Sequence, residues 1–279
     1  MAVSVNPDLH HSMTHNQPTT KYIQSLDRAL ELLNIIASAE TGISLTELSR
    51  EAKLNSSTAY RLLSTLVVRG YAYQDPANKT YRLGAQSLYI GQAALTQIDL
   101  RQIAIPLLKE LADETNELAN LVELREDHAV YIAQERAGNR AVQMFTQLGV
   151  KVPLHCSGVG KAMLANLEEV DLQRLIEAGT LEAYTVNTIS NPLKLRTELD
   201  LIRKRNYATD NEEREVGVRC IAAPVFQAGG RAVAAVSISG PPARLRPEND
   251  QDLSQFVIQA AGQISKLLGH PDHDQGETD

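Results

Sequence analysis

The stretch SLTELSREAKLNSSTAYRLLSTLVVRGYAYQDPANKTYR, residues 44–82, joins two short helical patterns to a strand–turn–strand pattern. Ser44 and Glu47 have the spacing of a capping box, in which each side chain binds a backbone N–H group left free at a helix start. They predict a first helix that begins after Ser44. Asn55 offers an N-cap oxygen for a second helix. The order of these patterns decides the fold of the N-terminal region.

The second predicted helix has two chemically different faces. Its apolar positions recur at i, i+3, i+4 and i+7, one stripe of a helix with 3.6 residues per turn: Ala59, Leu62, Leu63 and Leu66. The opposite face carries hydroxyl groups and one arginine, and no acid: Ser57, Thr58, Arg61, Ser64 and Thr65. Such a face suits the DNA major groove, where arginine binds guanine bidentately and hydroxyls reach phosphates or base edges.

Two short strand patterns follow this helix, at residues 71–73 and 80–83, around a turn at residues 75–79. A two-stranded ribbon directly after the second helix predicts the wing of a winged helix-turn-helix. Lys79 and Arg82 then lie at the tip and edge of the wing, where a phosphate backbone passes.

A further helix precedes the opening stretch. We expect Ser25 to cap it, and its apolar stripe to comprise Leu26, Ala29, Leu30, Leu33 and either Ile36 or Ala37. Arg28 points away from this stripe, where it either contacts a DNA phosphate or lies in solvent.

Downstream, helical spacing predicts a linker helix, after which the period changes to that of strands. The β-like runs of the C-terminal region are LANLVELR, AVYIAQER, AVQMFTQLG, RCIAAPVF and AVAAVSISG. Helices between them predict an α+β body with an antiparallel sheet. The predicted organisation is a disordered tail (1–20), a winged helix-turn-helix domain (21–84), a linker helix (85–98), an effector-binding and oligomerisation domain (99–269) and a second disordered tail (270–279).

The charges are divided unevenly along the chain. Residues 20–97 carry eight basic and six acidic side chains, a net charge of +2. Because the whole chain carries −7 and residues 1–19 one acid, residues 98–279 carry −8. This asymmetry indicates a DNA-binding head on an acidic body that does not touch DNA.

Composition excludes several other classes of protein. The chain has no apolar run near the ~20 residues of a membrane span and no secretory signal pattern at its N-terminus. Its two cysteines cannot staple a fold of 279 residues, which indicates a reducing compartment. We therefore predict a cytoplasmic protein without a membrane partner.

The body contains two segments that suit a small anion. In HCSGVGKAMLA, residues 155–165, the N–H groups of Gly158, Val159 and Gly160 converge at a predicted helix start. On the last strand, Ser237 and Ser239 share one face by the period of two. A small carboxylate or hydroxy acid would satisfy both segments.

A thiol protein is the alternative. Cys156 lies beside His155, an acid such as Asp210 could orient the histidine, and Cys220 could complete a redox sensor. Adjacent residues of a strand point to opposite faces, however, and free cysteines mostly pack as small apolar residues. A blander alternative is a DNA-binding protein whose body only oligomerises. We favour an effector pocket, and predict no enzyme, catalytic residue, metal or cofactor.

Over nearly its whole ordered length the chain resembles the IclR family of bacterial transcription regulators. The motifs that carry the resemblance are SLDRALELLNII, SSTAYRLLSTL, GYAYQDPANKTYRLG, HCSGVGKAMLA, RNYATDNEEREVGVRCIAAPVF and AVAAVSISGP. The resemblance implies a winged helix-turn-helix head, a linker helix and a GAF-like effector domain. It also implies homodimers through the heads, or homotetramers as dimers of dimers, on pseudo-palindromic double-stranded operators, with repression as the favoured mode.

The resemblance also implies the site residues. The implied DNA contacts on the second helix are Ser56, Ser57, Thr58, Tyr60 and Arg61. The implied effector contacts are Met144, Val152, Gly158, Val159, Asp210, Val218, Cys220, Ser237 and Ser239. Family members that bind small oxo-acids have alanine at the position of Val159, so the extra bulk narrows the pocket floor or shifts the ligand. The expected effector is a small organic acid.

Overall fold

The computed structural model describes residues 23–39, 41–125, 128–138, 148–178 and 181–270. The chain divides into two compact units, Met1–Gln97 and Ile98–Asp279. Met144, and with it most of the strand expected at 141–149, lies outside the described residues.

The N-terminal unit contains the predicted helices and wing. In chain order its elements are α1 (Gln24–Ser38), α2 (Leu45–Glu51), α3 (Ser56–Val68), β1 (Ala72–Gln74), β2 (Tyr81–Leu83) and α4 (Ala85–Gln97). The capping box is confirmed, since Glu47 N–H donates to Ser44 Oγ at 3.3 Å and Ser44 N–H donates to Glu47 Oε2 at 3.0 Å. Asn55 Oδ1 accepts from Thr58 N–H at 2.8 Å and starts α3 as predicted.

The expected stripe and cap of α1 are partly wrong. Leu26 and Leu30 are 55% and 52% exposed, whereas Leu32 and Ile36 are buried in the core of the unit. The buried side of α1 is therefore rotated from the expected stripe toward Leu32, which packs with α2, α3 and the wing. Ser25 does not cap the helix, because α1 already begins at Gln24 and its N-cap residue makes no side-chain cap bond.

The wing has a third, very short strand segment that the sequence patterns did not indicate. β1 and β2 pair antiparallel, with Tyr73 opposite Arg82. Ile43, just before α2, exchanges backbone hydrogen bonds with Tyr81 at 3.0 and 2.8 Å. This bridge fixes the base of the wing to the start of the helix-turn-helix.

The C-terminal unit is an α+β structure, as predicted. Its elements are α5 (Leu100–Thr115), β3 (Leu118–Arg125), β4 (His128–Arg136), β5 (Lys151–Val152), α6 (Gly158–Leu164), α7 (Glu169–Ala178), α8 (Pro192–Arg205), β6 (Ala208–Asn211), β7 (Arg219–Phe226), β8 (Ala232–Gly240) and α9 (Asp250–Leu267). A 3₁₀ turn at residues 247–249 precedes the last helix.

The six strands described in this unit form one antiparallel sheet in the order β5-β4-β3-β8-β7-β6. Successive side chains alternate between its two faces. On one face, alternate residues of β7 and β8 such as Ile221 and Val236 pack under α5 and α9. On the other, Cys220, Ala222 and Ala235 pack with α6, α7 and α8. The second face carries the candidate ligand site.

Within the described ranges, no helix combines the length and apolar character needed to cross a membrane.

Candidate functional site

Helix α3 presents the predicted DNA-contact residues on its outer side. Four of the five are exposed and Thr58 is half-buried; the exposed ones are Ser56, Ser57, Tyr60 and Arg61. Ser57 Oγ donates to Asn55 Oδ1 at 2.9 Å, so the N-terminal turn is held by side-chain bonds. This surface has the composition and accessibility that groove contact requires.

Two hydroxyl groups on the predicted DNA-facing side of α3 already donate hydrogen bonds within the helix. Ser64 Oγ donates to the Tyr60 carbonyl at 2.7 Å, and Thr65 Oγ1 donates to the Arg61 carbonyl at 3.2 Å. Their oxygens can still accept hydrogen bonds, but their protons are used locally. Arg61 and the residues of the first turn are therefore the groups most available to DNA.

The wing places its two basic residues differently. Lys79 is exposed at the tip, in the left-handed region with φ of 60°. Arg82 is also exposed, but its guanidinium donates to the Thr41 carbonyl at 3.1 Å. Arg82 thus joins the wing to the loop before α2 while retaining further N–H groups for a phosphate. Arg28 is half-buried on α1.

A cavity of about 300 Å³ lies in the C-terminal unit, beside the sheet face that carries α6. Seven of the nine implied effector residues line it: Val152, Gly158, Val159, Asp210, Val218, Cys220 and Ser239. Ser237 is buried on the same strand face but is not among the lining residues. Sequence reasoning missed six of the lining residues: Tyr131, Val150, Lys151, Ser157, Arg214 and Glu215.

Strand register assembles the polar part of the cavity. Asp210 on β6 lies opposite Cys220 on β7, and Cys220 lies opposite Ser239 on β8. Three polar side chains from three strands thus form one row across the sheet. Gly158 packs over this row, since a Cβ atom added there would be 3.0 Å from Cys220 Sγ. The expectation that these residues converge is supported by a pairing that the sequence alone does not contain.

The start of α6 is held more tightly than the sequence indicated. Ser157 Oγ accepts from Gly160 N–H at 3.1 Å. The expectation that three successive amides face an anion is therefore wrong for Gly160, whose proton is used by the N-cap. Gly160 has a packing role instead, because a Cβ atom there would be 2.3 Å from the Leu154 carbonyl oxygen.

Asp210 is the buried acid of the cavity lining, with 4% of its surface exposed. Its Oδ1 accepts from the backbone N–H groups of Glu213 at 2.8 Å and Arg214 at 3.4 Å. Burial nevertheless raises the pKa of this carboxyl group to about 6, because the amide bonds only partly offset the loss of water. Near neutral pH the group is therefore much closer to protonation than an exposed aspartate.

The thiol arrangement considered from the sequence is not assembled. Burial raises the pKa of Cys156 and of Cys220 to about 12, so both are thiols rather than nucleophilic thiolates at neutral pH. His155 Nε2 lies 2.9 Å from the Glu182 carbonyl oxygen. Asp210 accepts backbone amides instead of orienting the histidine.

A buried ion pair holds the loop that follows β6. Lys161 on α6 is fully buried and pairs with Glu213, whose side chain is 7% exposed. The Thr185 and Thr188 hydroxyls donate to the Glu213 carbonyl at 3.3 and 2.6 Å. The loop that supplies Arg214 and Glu215 to the cavity is therefore fixed to α6 and to residues 185–188.

The cavity rim carries two exposed cations. Arg214 lies over the Tyr184 ring, with its guanidinium carbon 4.2 Å from the ring centroid. Lys151 on β5 is exposed beside the same opening. Glu215 also lines the cavity, so the rim contains groups of both signs.

Comparison with known proteins identifies the family. The model of the IclR helix-turn-helix domain matches residues 25–76, and that of the bacterial transcriptional regulator IclR C-terminal domain matches residues 92–266. The chain belongs to the IclR family of bacterial transcription regulators. As an IclR-family regulator it binds DNA through the helix-turn-helix of its N-terminal unit, so the predicted family and fold class are confirmed.

Curated relatives resemble the chain over nearly their whole length. The HTH-type transcriptional regulator BhcR of Paracoccus denitrificans is 38% identical over 255 residues, 91% of this chain and 90% of the relative. The transcriptional repressor IclR of Escherichia coli is 36% identical over 253 residues, 90% of this chain and 92% of the relative. These homologues are transcription regulators, a class that is not enzymatic.

The fold also matches solved IclR structures. A putative regulator from Silicibacter sp. TM1040 superposes with a TM-score of 0.81 at 23% identity, over 91% of this chain and 99% of that one. At this identity the likeness concerns the fold alone. It supports the two-unit architecture of this IclR-family regulator.

Proposed function

We propose that this IclR-family regulator is a repressor whose operator binding is controlled by a small carboxylate bound in the cavity of its C-terminal unit. The observation that carries the proposal is the row formed by Asp210, Cys220 and Ser239 along a cavity of about 300 Å³. A cavity of this volume lies at the lower end of the range for ligand pockets, about 300–1,000 Å³. It suits a ligand of few heavy atoms.

Two cations at the cavity rim can bind an anion, although Glu215 lies beside them. Arg214 and Lys151 supply positive charge at the rim, where they attract a carboxylate and orient its approach. Ser239 supplies a hydroxyl group at the β8 end of the row. Asp210 opposes an anion when ionised, but its pKa of about 6 allows protonation at a modest cost in free energy. A protonated Asp210 donates a hydrogen bond to the ligand.

Val159 restricts the size of the ligand. Its side chain is 1% exposed and lies at the cavity wall beside Gly158. Together with Tyr131 and Val152 it gives the site an apolar side, which suits the carbon skeleton of the acid. The effector therefore combines a charged end with a short apolar body.

Control of DNA binding requires that the effector distinguish two states of the protein. A ligand shifts an equilibrium only by its difference in affinity for the two states, and the coupling is reciprocal. We infer that effector binding changes the spacing of the DNA-binding heads in the assembled protein, and that the linker helix α4 transmits this change. Operator DNA must then alter effector affinity by the same factor.

Self-association is the second part of the proposal. Helix α1 exposes Leu26 and Leu30, and α4 exposes Leu88, Tyr89 and Ile90, at 44–67% for the α4 residues. Large apolar side chains in this density at a surface indicate a protein interface. We propose a dimer through the heads, and a dimer or tetramer overall, on a pseudo-palindromic operator. A monomer in sedimentation velocity at micromolar concentration would contradict this assignment.

The site of action follows from the class of protein. A bacterial transcription regulator must reach chromosomal DNA, so we propose a cytoplasmic location. Repression is favoured because the relatives include the transcriptional repressor IclR at 36% identity.

The effector proposal is tested by thermal unfolding with a panel of short oxo, hydroxy and unsubstituted carboxylates. A true effector raises the unfolding temperature by mass action. It must also change affinity for an operator recovered by selection from random duplexes. We expect Ser239→Ala to abolish both effects while leaving operator affinity without ligand unchanged.

Two outcomes would contradict the proposal. One is that no acid of the panel stabilises the protein. The other is that Ser239→Ala loses operator binding together with the ligand response, since that result would assign Ser239 a structural role. Ser254→Ala, a buried serine on α9, is the control for loss of a buried hydroxyl.

A further inference from the structure

Asn120 on β3 is a fully buried polar residue next to the ligand site, and no sequence motif singled it out. It lies opposite Ser237 in the pairing of β3 with β8. Its Nδ2 group is 3.4 Å from Ser237 Oγ and 3.2 Å from Ser239 Oγ. The same group is 3.5 Å from the Leu118 carbonyl oxygen. One amide group therefore faces three oxygens.

The direction of these hydrogen bonds follows from their chemistry. An amide NH₂ group donates and does not accept, and a carbonyl oxygen only accepts. The Leu118 carbonyl therefore requires the Nδ2 side of Asn120 in this position, since Oδ1 would place two acceptors together. Nδ2 has two protons for these three oxygens, and the two serine oxygens are nearer to it than the Leu118 carbonyl, so Ser237 and Ser239 accept from Asn120 through their oxygens. Neither serine can donate its proton back to that nitrogen.

The serine protons must then point to other acceptors. Hydrogen bonds from Ser237 and Ser239 to Cys220 oppose, in small part, the rise that burial causes in the pKa of that thiol. Ser239 also lines the cavity, so its proton is available to a ligand.

The side-chain carbonyl oxygen of Asn120 is a second unusual feature of this residue. Its Oδ1 atom is buried and has no hydrogen-bond partner among the residues that the structure describes. An unpaired buried polar atom costs free energy, about 1–3 kcal/mol in typical cases. A leucine of similar volume would avoid this cost, so stability alone does not account for an asparagine here.

We propose that Asn120 is the positioning residue of the effector site: it holds Ser237 and Ser239 as hydrogen-bond donors, so that Ser239, which lines the cavity, recognises an acceptor oxygen. The acceptor is a carboxylate or carbonyl oxygen of the effector. A ligand that presents only a donor at this point, such as an ammonium group, is rejected. The inference rests on the proposed function, and it adds that the site recognises a hydrogen-bond acceptor of the ligand rather than a donor.

The decisive variant is Asn120→Asp, which keeps the shape but replaces the donor with an acceptor. Its carboxylate would take the protons of both serines and turn them away from the ligand. We expect affinity for the best of acetate, lactate and pyruvate to fall about tenfold or more, measured by calorimetry on the full chain. Asn120→Leu, which removes the donor without adding charge, should weaken binding by a smaller factor.

The matched control is Asn166→Asp. Asn166 follows α6, and its Nδ2 donates to the Ala162 carbonyl at 2.8 Å, outside the cavity. It undergoes the same chemical change, and we expect ligand affinity to stay within about twofold of the unsubstituted protein.

A second measurement needs no ligand. The infrared S–H stretching band of Cys220 is isolated by subtracting the spectrum of Cys220→Ala. The serine protons leave this sulfur when Asn120→Asp captures them, so we expect the band to shift. An unchanged band in both Asn120→Asp and Asn120→Leu overturns the inference, and so does an unchanged ligand affinity in both variants.

The two measurements separate the inference from the proposed function. If none of the three acids binds the unsubstituted protein, the proposed effector class fails, while the infrared band still decides whether Asn120 sets the direction of the serine protons. If the acids bind and the band is unchanged in both Asn120 variants, only the inference fails.

Discussion

At the scale of single residues, the loop beside the cavity is held in place by buried charged groups. Lys161 and Glu213 form an ion pair on the side of α6, and Asp210 lies three residues before Glu213. A buried pair gives little net stability because both charges lose water, but loss of one partner is costly. We therefore interpret the pair as a fixed support that keeps the Asp210 loop in place. Its negative partner also contributes to the raised pKa of Asp210.

The raised pKa of Asp210 predicts a specific pH dependence of stability. Its folded-state pKa of about 6 exceeds the ordinary value, so the folded protein binds more protons than the unfolded chain between about pH 4 and about pH 6. The unfolding free energy must therefore fall as pH rises through this window. The contribution is at most about 3 kcal/mol.

Asp210→Asn isolates this contribution. The asparagine oxygen can still accept the Glu213 and Arg214 amides, but it does not titrate. We expect urea unfolding to show that the difference in stability between the variant and the unsubstituted protein increases from about pH 4 to about pH 6 and is constant above. A difference that does not vary with pH would show that Asp210 titrates normally.

At the scale of elements, α6 is held against the strand end before it by a very close approach. Ser157 caps the helix, and Gly160 faces the backbone of Leu154. On the far side of the sheet, Arg219 binds Asp250 through two hydrogen bonds of 2.8 and 3.0 Å and so joins β7 to the start of α9. The strand that carries Cys220 is therefore fixed from both faces.

The close approach predicts opposite effects of one substitution at two glycines. Gly160→Ala would place Cβ 2.3 Å from the Leu154 carbonyl oxygen, so we expect destabilisation by about 1–3 kcal/mol. Gly262→Ala in α9 is the matched control, because an added Cβ meets nothing within 4 Å there. Its higher helix propensity should stabilise the protein by about 0.5–1 kcal/mol. Thermal and urea unfolding of both variants give the comparison, and equal effects would refute the packing argument.

At the scale of the whole molecule, function depends on a division of charge. Residues 20–97 carry +2 and residues 98–279 carry −8. An acidic body repels DNA, so the head must supply the attraction through a few well-placed cations. Operator binding should accordingly weaken as salt rises, in proportion to the phosphates neutralised.

Arg61→Ala tests where this attraction is located. Arg61 is exposed on the outer side of α3, so we expect specific operator affinity to fall about tenfold to a hundredfold, with relaxed specificity at one position if it contacts a base. Arg69→Ala, at the C-cap residue that follows the same helix, is the control and should change affinity by about twofold or less. Fluorescence anisotropy over a salt series measures both affinity and slope. Unchanged operator affinity in Arg61→Ala would mean that another element enters the groove.

Periodicity predicted most elements of both units. The runs LANLVELR, RCIAAPVF and AVAAVSISG coincide with β3, β7 and β8, and Ser44 and Asn55 start their helices as expected. These features depend on residues that lie a few positions apart in the chain, so local sequence patterns are enough to predict them. The orientation of α1 was predicted less well, because Leu26 and Leu30 fit an apolar stripe equally well whether they are buried or exposed.

The sequence by itself determined the family, the order of helices and strands, and most of the cavity residues, through local periodicity and recognisable motifs. Only the tertiary structure decided which residues from distant parts of the chain lie beside these cavity residues. Asn120 meets Ser237 and Ser239 across 117 and 119 residues of chain, and Arg214 reaches the rim because its loop is tied to α6. Strand register and ion pairing between distant segments have no signature in a local pattern, because the free energy that selects them comes from the folded sheet as a whole.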